Sequence, residues 1–305
     1  MASFKGFYIN LERDKDRENI LRNDLGKKGK LTQYTRFKAI EGNAEEATKR
    51  SLSAGEHGLW KSWIKLLEII EQDNDRNYDY IHIIEDDAVL SNQLYDLLDQ
   101  LGKEETSTDM LMTDMYTNIS VYNVFEKHVP KSISEDKEWK VFTTNQYTGC
   151  TASCIIHKNK IKDIRALLKE EYKSRSLIPI DNFFRRMSIK GNLRIRTTIP
   201  FLSTVQISSI INSTIQNRNN KASTITNTQV YNAYLRKRLS VFRSDAKIIE
   251  MAKIAADIIG QEGEQKDNFE SKIIESINSF LEDEGILRYK VDKRLKGDEN
   301  HQIKT

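Results

Sequence analysis

Glu85-Asp86-Asp87 follows directly on Tyr80-Ile81-His82-Ile83-Ile84, a near-continuous apolar run of strand length. Such a run predicts a central strand covered on both faces, and open α/β sheets bind ligands beyond the carboxyl ends of their strands. Consecutive carboxylates at that edge repel one another unless a cation joins them. Hard oxygen donors of this kind suit Mg²⁺ or Mn²⁺ that also holds a diphosphate. Two plainer readings stay open: the acids solvate the loop, or one of them caps a helix over Ser91 to Leu101, where negative charge is favoured. His82 alternates with Ile81 and Ile83 and reads as a hydrogen-bonded core histidine. Cys150 and Cys154 are too few for a disulfide scaffold and lack a second pair for zinc, so they read as structural thiols.

The elements around the triplet alternate. Phe4 to Ile9 reads as a strand, followed by a helix carrying Ile20, Leu21 and Leu25 that Gly26 and Gly29 stop. A strand over Tyr34 to Ile40 comes next. After Ser53-Ala54-Gly55-Glu56, a helix places Trp60, Trp63, Ile64, Leu67 and Ile70 on one apolar face, where the tryptophans read as core. Beyond the triplet, a helix turns Leu94, Leu97, Leu98 and Leu101 inward. Strands follow at Met110 to Thr113, Val141 to Thr144 and Thr151 to Ile156, then a helix over Ile161 to Leu168. This alternation predicts an α/β fold with a mostly parallel central sheet. From about Gln229 only helical patterns remain, carried by Tyr234, Leu235, Val241 and Phe242, then Ile249, Ile254 and Ile258, then Phe269, Ile273, Ile277 and Phe280. A boundary near Thr226 divides residues 1–226 from a helical extension, 227–305, whose tail frays after Lys290.

A chain of 305 residues with 38% hydrophobic content has room and material for one large α/β unit plus an appendage, which excludes a disordered chain. No apolar stretch is long enough to span a bilayer. The opening MASFKGFYINLERDKDR lacks a signal-peptide pattern, so a cytoplasmic protein is expected.

Several short blocks occur in order: Tyr8-Ile9-Asn10-Leu11-Glu12-Arg13-Asp14-Lys15-Asp16-Arg17, Phe37-Lys38-Ala39-Ile40-Glu41-Gly42, Gly55-Glu56-His57-Gly58 with Ser62, and Ile83-Ile84-Glu85-Asp86-Asp87-Ala88. Tyr147-Thr148-Gly149, Pro179-Ile180-Asp181, and Pro200 with Gln206, Ser213 and Thr214 follow. Together they resemble glycosyltransferase family 25, the family of bacterial lipopolysaccharide glycosyltransferases with procollagen galactosyltransferases as relatives. The resemblance runs over about residues 4–216. His57, Leu59 and Trp63 stand where the family usually has Ile, Cys and His, a departure that bears on donor or acceptor preference.

The resemblance implies a GT-A type nucleotide-sugar-binding fold and transfer of a hexose, galactose included, from a UDP-linked donor with a divalent cation, Mn²⁺ or Mg²⁺. On it, Asp87 and Glu85 would hold the metal, Glu85 and Asp86 would orient nucleotide, ribose or metal-bound water, and Gln206 would belong to the donor site. Asn10, Arg13 and Arg17 lie just beyond the first strand, where a nucleotide would sit, and an arginine fork matches phosphate oxygens. Alternatively Arg13 and Arg17 pair with Asp14 or Asp16. An inverting transfer needs a base for the acceptor hydroxyl. Asp181 is the candidate, unless it only caps a helix over Asn182 to Met187, and cations nearby would keep it ionised unless burial opposes them. Asp114 is the reserve candidate.

The net charge of +3 conceals a segregation. No acid lies between Asp181 and Asp245, while Arg185, Arg186, Lys190, Arg194, Arg196, Arg218, Lys221, Arg236, Lys237, Arg238 and Arg243 do, so that window carries +11 and the remainder −8. The strip, 185–243, could cradle the donor diphosphate or be an ordinary solvated face. It could also attract an anionic glycan acceptor such as a phosphorylated lipopolysaccharide core, or an anionic membrane surface. With Tyr231, Tyr234 and Phe242 interleaved, it would equally suit a nucleic acid backbone, which would make the chain a transferase acting on modified bases of DNA. A non-catalytic sugar-nucleotide-binding relative would show a broken acidic triplet, and this triplet is unbroken.

Overall fold

The computed structural model describes residues 4–74, 77–101, 108–129, 140–143, 147–206 and 227–242. The apolar runs become strands in the expected places: β1 (Phe4–Asn10), β2 (Tyr34–Lys38), β3 (Tyr80–Glu85), β5 (Met110–Met112), β6 (Lys140–Thr143) and β7 (Ser153–His157), and β8 (Ile195–Ile199) joins them where no strand was expected. They form one sheet in the order β2-β1-β3-β7-β5-β8-β6. β1 runs parallel to β2 and β3, and β5 parallel to β8, while β7 and β6 are antiparallel to their neighbours. Five of the seven described strands therefore point one way, the mostly parallel α/β sheet that the alternation predicts.

Both faces of the sheet are covered. Ile81 and Ile83 of β3 join Met110, Met112 and Ile156 in one core cluster, whereas Tyr80, Ile84, Leu111 and Ile155 fill the other. The period-two alternation of strand side chains produces this split. Helix α1 (Lys15–Lys27) seals the second cluster with Leu21 and Leu25, but Ile20 is 52% exposed. Leu21 and Leu25 are four apart and share a face, which turns the adjacent Ile20 outward. After α2 (Ala44–Lys49), α3 (Ala54–Gln72) begins with a capping box in which Ser53 accepts from the Glu56 N–H and Glu56 accepts from the Ser53 N–H. Of the expected tryptophan face, Trp60, Trp63, Leu67 and Ile70 are buried and Ile64 is partly so, and Trp60 and Trp63 meet Phe183 and Phe184 edge-on at 5.2 and 5.4 Å.

A short strand that the sequence pattern conceals, β4 (Ala88–Leu90), separates the triplet from α4 (Asn92–Leu101) and pairs with β9 (Ser203–Val205). Ser91 Oγ accepts from the Leu94 N–H at 3.3 Å, so this serine, rather than an acid of the triplet, caps α4. The remaining helices are α5 (Ile119–Phe125), α6 (Ile161–Tyr172), α7 (Ile180–Ile189) and α8 (Asn227–Arg238). Tyr234, Leu235 and the following Leu239 sit in the first core cluster. The helices expected over Ile249 to Ile258 and Phe269 to Phe280, the frayed tail, and Ser213, Thr214, Arg218, Lys221 and Arg243 lie outside the described residues.

Gly58 fixes how α3 meets the turn after β2. A Cβ there would stand 2.5 Å from the Ile40 carbonyl oxygen and 2.8 Å from the Gly42 nitrogen, both backbone atoms that cannot swing aside. Alanine is the better helix former, yet Gly58→Ala is expected to destabilise the protein by about 1–3 kcal/mol through overpacking. A lowered urea midpoint at unchanged slope would show it.

Candidate active site

The sheet topology brings most of the sequence-selected residues to one edge. β1 ends in Asn10, and the register Ile9↔Glu85 sets Asn10 beside Asp86. β5 runs on into Asp114 at the same edge. Because β7 is antiparallel to β3 and β5, its amino-terminal approach, Gly149 to Ala152, arrives there as well, and the Glu85 N–H donates to the Ala152 carbonyl at 3.0 Å. Gln206, just past β9, donates its backbone N–H to the Asp87 carbonyl at 2.9 Å.

The triplet divides into unlike roles. Asp86 is 6% exposed, and both its oxygens are engaged: Asn10 Nδ2 donates to Oδ2 at 2.8 Å and Arg17 Nε approaches Oδ1 at 3.2 Å. Glu85 Oε1 accepts from the Thr151 hydroxyl at 2.6 Å. Asp87 Oδ2 pairs with Arg17 Nη2 at 2.8 Å, while Asp87 Oδ1 is buried with no hydrogen-bond partner. A buried carboxylate oxygen left open is costly unless something completes it.

Electrostatics supports the same division. Burial, then the Asp87 charge, pushes the Glu85 carboxyl up to about 7, with the Thr151 hydrogen bond opposing. Burial pushes Asp86 up to about 6 against the pull of Arg17. An acid whose pKa is higher folded than unfolded keeps its proton longer in the folded chain. Between the ordinary values of 4.5 and 3.8 and the raised ones, the native state thus binds more protons, and stability falls as pH rises through that window. Melting temperatures at pH 5 and pH 7.5, without added cation, should show this loss, and Glu85→Gln should reduce it. An equal loss in both proteins would refute the assignment.

The two candidate bases differ in kind. Asp114 is 1% exposed; Arg236 Nε donates to its Oδ1 at 2.5 Å, Arg236 Nη2 to its Oδ2, and the Met115 N–H to Oδ1 at 2.7 Å. Burial raises its pKa and Arg236 opposes. Asp181 lies in the first turn of α7, after an N-terminal cap position filled by Pro179, so it is not the cap residue itself, although its Oδ1 accepts from the Asn182 N–H at 2.8 Å. Burial raises the Asp181 pKa as well, and the groups that oppose are the N–H groups of Asn182 and Cys150 rather than the cations anticipated from the basic strip. Gly149, at φ +129°, makes this seat possible, since a Cβ there would lie 2.8 Å from Asp181 Oδ2.

Arg13 stands apart from this cluster. It is half exposed and bonds Glu41 Oε1 at 2.8 Å, while Arg17 carries the contacts to the triplet. Nor is the basic strip one surface among the described residues. Arg186 pairs with Glu171, Arg194 with Asp109 and Arg236 with Asp114, and Lys237 is 5% exposed, which withdraws these cations from any polyanion laid along the strip. His82 is a core histidine as expected, bonded to the Tyr34 hydroxyl at 2.6 Å and Ser153 Oγ at 2.9 Å, and burial lowers its pKa to about 3. Trp63, at the position of the family's usual His, is buried against Phe184, and His57 is buried against the Tyr172 hydroxyl at 2.7 Å. Cys150 and Cys154 are free thiols, the second buried.

Three participants escaped the sequence reading. Arg36 donates from Nε to Asn10 Oδ1 at 2.9 Å, which turns the Asn10 amide so that its nitrogen faces Asp86. Thr151 holds Glu85. Arg236 reaches Asp114 from α8. Arg236 stood in the sequence only as a member of the basic strip, and nothing local marked it as facing Asp114.

The chain thus combines a mostly parallel α/β sheet with an acidic triplet at its carboxyl edge. The model of glycosyltransferase family 25 (LPS biosynthesis protein) matches residues 4–184, and the chain belongs to that family. Among curated proteins none matches it in sequence. Its similarity to one solved structure, a Drosophila β-1,4-galactosyltransferase 7 mutant in complex with manganese, UDP-Gal and xylobiose, is 10% in identity with a TM-score of 0.31, over 64% of this chain and 65% of that one. The chain thus spans slightly less than two thirds of that structure's length.

Proposed function

We propose that the protein is a metal-dependent, inverting glycosyltransferase that moves a hexose from a UDP-linked sugar to a hydroxyl of a glycan acceptor of the lipopolysaccharide or cell-surface type. The observation that carries this reading is the open, buried Asp87 Oδ1 beside Asp86, whose two oxygens are already engaged by Asn10 and Arg17. Among the described residues no three His, Cys, Asp or Glu side chains converge as a self-sufficient metal cage. That fits a cation shared between one or two carboxylates and the donor's phosphates, as Mg²⁺ and Mn²⁺ sites in such enzymes are commonly built. Asp87, with Glu85, would hold Mn²⁺ or Mg²⁺, which when bound would supply positive charge to the departing nucleoside diphosphate.

The chain's own groups do the rest. Arg36 fixes Asn10, Asn10 and Arg17 fix Asp86, and Arg17 brings a guanidinium to where phosphate charge would lie. Asp181, raised in pKa and seated against Gly149, takes the proton of the acceptor hydroxyl as that oxygen bonds to the sugar's anomeric carbon and the sugar–phosphate bond breaks. None of the described helices is long and apolar enough to cross a membrane. The glycan acceptor and any contact with a membrane's inner face therefore rest on the family resemblance.

Incubating the protein with UDP-hexoses and Mn²⁺, and following UDP release with and without a chelator, tests the reading. Release that stops on chelation supports it. Binding of UDP-sugar without release would instead favour a non-catalytic sugar-nucleotide-binding protein, and no binding would sink both.

A further inference from the structure

We propose that Arg236 of α8, beyond the family-matched residues 4–184, is a positioning residue of the donor site, holding Asp114 and the Cys150 turn as its floor. The inference rests on the glycosyltransferase reading and extends it to a part of the chain that the family match does not include. The guanidinium spans both Asp114 oxygens at the end of β5, and its Nη2 also donates to Cys150 Sγ at 2.8 Å. It therefore ties together two neighbouring segments at the sheet edge, one following β5 and the other preceding β7, the strand next to β3 and Glu85. A bidentate fork of this kind fixes direction as well as distance.

The helix that carries it is anchored independently. Tyr234, Leu235 and Leu239 are buried to within 1% of exposure, and Asn232 Nδ2 donates to the Tyr116 hydroxyl. The Phe201 N–H donates to the Leu239 carbonyl at 2.8 Å, and the Val241 N–H returns to the Phe201 carbonyl at 3.0 Å. Tyr116, whose ring is 43% exposed, is in turn tied to the Gly149 carbonyl through its own N–H at 3.0 Å. α8 thus clamps one wall of the site at Tyr116 and its floor at Asp114 and Cys150. Burying a guanidinium is costly, and here the fork pairs it with a carboxylate that would otherwise add a further negative charge near Asp87, against the binding of a diphosphate.

The test uses the full chain, UDP and Mn²⁺. Arg236→Lys keeps the charge but cannot span both oxygens and the thiol. Asp114→Asn/Arg236→Gln replaces the pair by neutral groups and leaves no lone buried charge. In both variants UDP affinity measured by calorimetry should fall about tenfold, and the donor KM should rise by a similar factor with kcat at saturating donor changed much less. A purely structural pair would lower the melting temperature and leave UDP affinity and donor KM of the folded protein unchanged, which would overturn the proposal. Failure of both variants to fold would likewise assign the pair to stability alone. Absence of UDP binding in the wild type would overturn the glycosyltransferase reading and this inference with it, whereas unchanged binding in the variants overturns this inference alone.

Discussion

Asp87→Asn is expected to fold with wild-type stability or better and to lose about three orders of magnitude in hexose transfer. The fold should survive because the substitution is isosteric and the amide oxygen can still accept from Arg17, which now donates to Oδ2 at 2.8 Å. It also removes the charge that ranks second, after burial, in holding the Glu85 carboxyl at about 7, so it relieves repulsion in the free protein. Activity should collapse because the open Oδ1 is the one oxygen of the triplet that burial has stripped of water and the chain has left without a partner. Replacing a carboxylate by an amide there withdraws the anionic anchor for a cation whose charge on a departing diphosphate is worth several kcal/mol, and every 1.36 kcal/mol is about tenfold in rate. Turnover with saturating UDP-sugar should therefore fall and lose its response to Mn²⁺ or Mg²⁺. Wild-type turnover in Asp87→Asn with metal present would disprove the assignment. Asp86→Asn should behave differently: both Asp86 oxygens are committed to Asn10 and Arg17, so its loss should loosen those two residues and raise the donor KM more than it lowers kcat.

The features legible in sequence were those written in a short period. Apolar runs gave the central strands β3, β5 and β7 because these are buried on both faces, and the Trp60 and Trp63 spacing gave α3 because a three-and-four stripe has only one way to face a core. The triplet was legible because three acids after such a run have few structural uses. Direction was not legible: nothing in Ser153–His157 says that β7 enters antiparallel, yet that reversal is what delivers Gly149, Cys150 and Thr151 to the site. β4, three residues long, went unread, as did the longer β8. A count along the chain leaves out what each cation meets in space. Arg194 turns to Asp109 and Arg236 turns to Asp114, each cation meeting an acid more than eighty residues earlier. Long-range ion pairs of this sort leave no local pattern.

Asp181→Asn is expected to cost about 10²- to 10⁴-fold in kcat/KM, the usual worth of a positioned proton acceptor, and to erase the acidic limb of the pH–rate profile. In the wild type that limb should lie above the ordinary carboxylate range, because burial favours the protonated form of Asp181 and only backbone N–H groups lead the opposition. A base so raised has more driving force for proton abstraction. Asp114→Asn supplies the contrast. Its carboxylate is bound on both oxygens by Arg236 and on one by the Met115 N–H, so taking up a proton there would weaken a buried ion pair. Its loss should weaken donor binding and leave the acidic limb in place. Gly149→Ala offers a way to disturb Asp181 without touching it. The added Cβ would sit 2.8 Å from Oδ2 at a φ of +129° that an alanine rarely adopts, so the carboxylate must move and kcat should fall while UDP affinity holds. An acidic limb that persists in Asp181→Asn and vanishes in Asp114→Asn would exchange the two roles. The Arg236 pair would then have to open during each turnover.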